Sequence, residues 1–217
     1  MWEIEIDVDG VLADMDGSYG SYVKHIIPDF SEEKHILNWG VPEVKDKYPE
    51  AYQIIKSLWS NPDFIMSLPR YPRVAEAIIK LDKLIKGKGR IVIHTHVFSK
   101  EVHDMRYKWL EILKEETGVD FEIQISLGDK KHKRTNTFIL IEDNVNNSKN
   151  SSALYKFLIR RGHNRSFNED ALGEANGRYI ANDIYEAVEK IEEIFDEIVE
   201  TYEKIKREKR DWCCPKN

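Results

Sequence analysis

Residues 3–14 read Glu-Ile-Glu-Ile-Asp7-Val8-Asp9-Gly10-Val11-Leu12-Ala13-Asp14. An alternating apolar run delivers two carboxylates, one residue apart, into a glycine turn. Residues i and i+2 of a strand project the same way, so Asp7 and Asp9 leave the strand end side by side. That pairing suits a nucleophile next to a proton donor, and Gly10 lets the chain turn without a Cβ penalty. A calcium loop of the EF-hand kind does not fit. Counted from Asp7, the fifth and twelfth positions are Val11 and Ser18, and counted from Asp14 the twelfth is His25.

Outward from this stretch, strands alternate with helices. Residues 2–8 read as a buried strand and 17–26 as a helix with Tyr19, Tyr22, Val23 and Ile26 on one face. From Pro28 to Leu68, prolines punctuate short aromatic-rich pieces containing Phe30, Trp39, Tyr48, Tyr52, Trp59 and Phe64. We read 28–68 as a small helical cap insert, with its clearest helix at 50–59. It interrupts a core made of 1–27 and 69–217.

Pro72 opens a helix running to about Lys86, with Val74, Ala77, Ile78, Leu81 and Ile85 inward. Strands are expected at 90–95, 121–127 and 137–141, with an edge strand at 178–181 and helices at 100–116 and 151–161. This order predicts an α/β, Rossmann-like, mostly parallel sheet with helices on both faces. In such sheets ligands bind beyond the carboxyl ends of the strands. Asp7–Asp9, Thr95–His96, residues 128–131 and Glu142–Asp143 all fall there.

The 217 residues suit one medium domain with an insert, and the net charge of −6 offers no extended nucleic-acid-binding surface. No apolar run reaches the ~20 residues of a membrane span. The N-terminus lacks a signal-peptide layout, and the two cysteines, Cys213 and Cys214, are adjacent. The expectation is a cytoplasmic protein. Residues 183–208 predict one long helix with apolar residues at 184, 188, 191, 195, 198, 202 and 205. That seam fits an amphipathic helix lying on its own domain, and also a homo-oligomer joined through the C-terminal helix.

The ordered set resembles the motifs of the haloacid dehalogenase superfamily of phosphatases. Its parts are Asp7-x-Asp-Gly-Val-Leu-Ala-Asp14, Ile91-Val-Ile-His-Thr95, a lysine near 131, and Leu140-Ile-Glu-Asp-Asn144. Within that superfamily, the chain is similar to the 5′(3′)-deoxyribonucleotidase family. Asn61-Pro-Asp-Phe-Ile-Met-Ser-Leu-Pro69 and the pair Lys108-Trp109 add to the likeness, which covers roughly 2–181.

The resemblance implies a phosphomonoesterase for a small phosphate ester, a (deoxy)nucleoside monophosphate. Mg²⁺ would be held by Asp7, the backbone carbonyl of Asp9, and Asp143, with Glu142 acting through water. Asp7 would attack phosphorus and Asp9 would serve as acid and then base, with a carboxyl raised by crowding. Thr95 and Lys131, or Lys130, would hold phosphoryl oxygens; Lys133 lies close by. Thr95, His96, Met15 and Tyr19 would line the substrate site. Met15 stands where the family commonly has an aromatic residue, and Glu142 where it usually has a second aspartate. The same chemistry on sugar phosphates or polynucleotide ends is the nearest alternative; a scaffold assembling through 183–208 is the non-catalytic one. A His94-x-His96 metal site of the amidohydrolase kind lacks companion ligands.

Overall fold

The computed structural model describes residues 1–26, 42–128 and 137–213. Trp39, Lys130, Lys131, Lys133 and Cys214 lie outside the described residues. Six strands form one sheet: β1 (Trp2–Ile6), β2 (Gly89–Val97), β3 (Glu122–Leu127), β4 (Thr137–Glu142), β5 (Tyr155–Ile159) and β6 (Gly177–Ala181). Their order is β3-β2-β1-β4-β5-β6, and every neighbouring pair is parallel. The chain therefore winds outward in both directions from β1. The crevice beyond its carboxyl end, between β2 and β4, is the topological switch point.

All five residues of β1 are buried, although two are glutamates. Each has partners. Glu3 pairs with Arg90 at the start of β2. Glu5 receives a hydrogen bond from Thr137 at 2.5 Å and lies 2.6 Å from Nδ1 of His94. The other ring nitrogen of His94 is 2.9 Å from the Ser126 hydroxyl. A strand buried on both faces tolerates these polar groups only because they satisfy one another.

The helices cover the sheet. The first, α1 (Met15–Ile26), buries Tyr19 and Val23 but leaves Tyr22 half exposed. Among the described residues, three short helices come next: α2 (Pro42–Lys47), α3 (Pro49–Leu58) and α4 (Pro62–Ser67). Asn61 caps α4 by accepting from the backbone N–H groups of Asp63 and Phe64. Then come α5 (Val74–Ile85), whose five expected inward residues are all buried, and α6 (Lys100–Thr117), which ends on left-handed Gly118.

Residues 68–71 fasten this region to the core. Trp109 on α6 donates to the Leu68 carbonyl, Asp14 N–H to Pro69, and Tyr71 N–H to Leu12.

Two expectations are corrected. Residues 151–161 are not a helix: Tyr155–Ile159 is the fully buried strand β5, preceded by a short helix α7 (Val145–Asn150). A strand covered on both faces reads as a continuous apolar run, which periodicity cannot separate from a helix. Lys156 disguises it further; it is buried mid-strand and donates to the Leu172 carbonyl at 3.0 Å.

The single C-terminal helix is two, α8 (Ile184–Glu193) and α9 (Phe195–Cys213), broken at Ile194. Ile184, Val188, Ile191 and Ile198 are buried, while Phe195, Tyr202 and Ile205 pack on the same core. The apolar seam thus faces the chain's own sheet. Among the described residues, no helix is long and apolar enough to cross a membrane.

Candidate active site

Asp7 follows β1 directly, its N–H bonded to the carbonyl of Ile141 in β4. Glu142 closes β4, and Asp143 starts the turn into α7. The sheet therefore brings together acids 135 or more positions apart in the chain. One carboxylate oxygen from each of Asp7, Glu142 and Asp143 lies within 4.8 Å of the others, and all three side chains are buried.

Burial first, then the charges of Glu142, Asp7 and Asp16, pushes the Asp143 carboxyl well above the usual carboxylate range. Three buried acids at this spacing repel one another strongly. A hard divalent cation with oxygen ligands fits the set in charge and donor type.

The cluster is built rather than incidental. Gly10 has φ +80°, and a Cβ placed on it would sit 1.9 Å from Oδ2 of Asp143. Only glycine gives the turn its backbone and the aspartate its space. Arg161 clamps this turn from outside: Nε donates to the Gly10 carbonyl at 2.6 Å, and the guanidinium stacks 4.0 Å over the ring of Tyr71.

Asp143 is braced by the turn after β5. Asn164 donates to its carbonyl at 2.8 Å, and Nε2 of His163 lies 3.4 Å from its Oδ2. His163 also approaches Asp16, at 3.7 Å. Glu142 accepts from the N–H groups of Asp143 and Asn144 and from the side chain of Asn147.

Asp9 is placed differently. Its carboxylate is one-third exposed and accepts a hydrogen bond at 2.6 Å from Nη2 of Arg106, a buried residue of α6. Crowding by acids is what the sequence leads one to expect around Asp9; the group bonded to it is an arginine. The signal was available: Val102, Arg106, Trp109, Leu110 and Leu113 form the buried face of α6, and an arginine at a core position needs a partner.

Thr95 is buried in β2, on the pleat face of Ile93 and, across β1, of Ile6; His94 takes the opposite face with Glu5. Among the described residues the Thr95 side chain makes no hydrogen bond to the acids. Met15 is buried at the start of α1.

Tyr19 sits beside the acids. Burial and the charges of Asp16, Asp9 and Asp143 raise its hydroxyl well above the ordinary value, against the N–H donated by Trp59. From Tyr19 an aromatic wall runs outward. Its ring lies 6.5 Å from Trp59, which stacks at 6.2 Å on half-exposed Phe98. His96 meets Phe98 edge-on at 4.9 Å and bonds the Gly128 carbonyl through Nε2.

No family model matches the sequence, and no curated protein does. Solved structures do resemble the fold. A Bacteroides vulgatus protein assigned as a β-phosphoglucomutase is 12% identical, with 92% of this chain and 90% of that one covered and a TM-score of 0.52. A phosphonoacetaldehyde hydrolase-like protein from Oleispira antarctica is also 12% identical, covered over 92% of both chains with a TM-score of 0.53. At that identity the likeness concerns the backbone alone: the chain shares the α/β fold of these two proteins.

Proposed function

We propose that the chain is a Mg²⁺-dependent phosphomonoesterase acting on a (deoxy)nucleoside monophosphate. The observation that carries this reading is the trio of buried carboxylates from β1 and β4, gathered within 4.8 Å at the switch point. Asp7, Asp143 and Glu142 would hold the cation, together with the Asp9 carbonyl. When bound, it offsets the repulsion between a carboxylate nucleophile and a phosphate dianion.

Asp7 attacks phosphorus in line as the ester P–O bond breaks, giving an aspartyl-phosphate. Asp9 gives its proton to the departing oxygen. It then takes one from the water that attacks phosphorus and releases Asp7. Thr95 and Lys131, with Lys130 as its alternative, hold phosphoryl oxygens.

The nucleotide is supported by the wall of Tyr19, Trp59, Phe98 and His96, which starts at the acids and ends at a half-exposed ring. A base stacked on such a surface gains about 1–3 kcal/mol whatever its identity.

The test is phosphate release with Mg²⁺ across nucleoside monophosphates and sugar phosphates, with Asp7→Asn alongside. Turnover of nucleotides, abolished in a folded Asp7→Asn protein, is the expected result. Preference for sugar phosphates overturns the substrate assignment, and an active Asp7→Asn overturns the nucleophile.

A further inference from the structure

Arg106 has a chemistry that the proposed reaction does not yet use. Its side chain is 1% exposed, and Nη2 makes the short contact to Oδ1 of Asp9. Nε and Nη1 are buried too, yet hydrogen-bond to nothing among the described residues. The guanidinium carbon lies over the ring of Trp109, three residues on in the same helix, 5.8 Å from its centroid.

A guanidinium buried for packing alone would be expected to spend its fork on a two-oxygen contact. Here it grips one oxygen of a carboxylate and leaves that carboxylate one-third exposed. Leaving buried donors unmade costs on the order of 1–3 kcal/mol each. The arrangement is therefore expensive unless it fixes something the protein needs fixed.

We infer that Arg106 is the positioning residue for the acid–base group, an inference that rests on the phosphomonoesterase reading. By holding Oδ1, it sets the rotamer of Asp9 so that Oδ2 faces the ester oxygen that leaves. The proton passes from Oδ2 to that oxygen as the P–O bond breaks and its electron pair moves onto the leaving group. The carboxylate so formed faces the guanidinium across 2.6 Å, and it later takes the proton of the hydrolytic water from the same orientation. In this role Arg106 acts through Asp9, the acid it is bonded to.

Leaving-group dependence separates this role from a structural one. A nucleoside 5′-monophosphate expels a poor alkoxide and needs the proton, whereas 2,4-dinitrophenyl phosphate expels a stable phenolate and does not. kcat/KM reports only the steps through leaving-group departure, so the later hydrolysis does not blur the comparison. Both esters are tested with the wild type, Arg106→Met, Arg106→Lys and Asp9→Asn.

Arg106→Met should lower kcat/KM for the nucleotide about 10²–10⁴-fold while changing it only a few-fold for the dinitrophenyl ester, the same pattern as Asp9→Asn. Arg106→Lys, which keeps the positive charge and an N–H donor but not the planar fork, should recover part of the loss on the nucleotide alone. It also serves as the test should the methionine variant fail to fold. Equal losses on the two esters, or no loss on either, overturn the inference and leave the phosphatase reading intact. A wild type inactive on both esters overturns that reading and this inference with it.

Discussion

Gly10→Ala is the substitution whose consequence can be worked most fully. The new methyl carbon would stand 1.9 Å from Oδ2 and 2.5 Å from Cγ of Asp143. Real Cβ contacts stop at 3.0 Å, so the carboxylate must withdraw by about 1.1 Å. That displaces one of the three carboxylates of the acidic trio.

The backbone at φ +80° adds a left-handed penalty of roughly 1–2 kcal/mol, and forced overpacking roughly 1–3 more. The expected loss is about 2–5 kcal/mol, a large part of a typical stability of about 5–15. Gly118→Ala is the control. Gly118 is also left-handed, at φ +65°, but a Cβ there meets nothing within 4 Å. It should cost only the backbone penalty.

Urea unfolding of the two variants, with and without Mg²⁺, separates the effects. Gly118→Ala should retain the wild-type stabilisation by the cation, and Gly10→Ala should lose most of it. A Gly10→Ala protein as stable as Gly118→Ala, with the Mg²⁺ response unchanged, would refute the claim that Gly10 exists to seat Asp143.

Further outcomes follow from the same geometry. Asp143→Asn removes repulsion worth about 3 kcal/mol per neighbouring acid at 4.8 Å and an effective dielectric of about 20. The metal-free variant should melt no lower than the metal-free wild type and lose its response to Mg²⁺; a lower melting point would contradict this.

Because the Asp143 carboxyl is raised, it binds its proton more tightly folded than unfolded. The metal-free wild type should therefore lose stability as pH rises through the folded-state value, a phase that Asp143→Asn lacks in urea titrations. Phe98→Ala should raise KM for a nucleoside monophosphate about 5–150-fold and leave glycerol phosphate unaffected; equal effects would remove the stacking role. With the seam of α8 and α9 turned to its own core, the chain should sediment as a 25.5 kDa monomer, and a concentration-independent dimer would contradict that.

The strand ends that carry Asp7, Thr95 and Glu142 were legible because short apolar runs stop there at charged or hydroxyl residues. The sheet turned that punctuation into one site. β5 was not legible, since Lys156 broke its apolar run and mimicked an amphipathic helix. With β5 went the turn at Gly162–Asn164, whose His163 and Asn164 brace Asp143. Nothing local marks those two residues; only the position of β5 beside β4 brings them to the site.

Arg106 is the opposite case. Its place on an apolar helical face was visible, but which acid it would meet depended on how α6 packs against the first loop. The aromatic wall was half visible. Tyr19 could be named, while Trp59 and Phe98 come together only because α3 ends beside the exit of β2.

The most direct measurement is the anomalous difference density of Mn²⁺ in crystals of this protein. The account predicts one ion per chain between the carboxylates of Asp7 and Asp143, with Glu142 beside it, absent from crystals of Asp143→Asn. Density for the ion elsewhere, or an ion at this position that persists in Asp143→Asn, would contradict it.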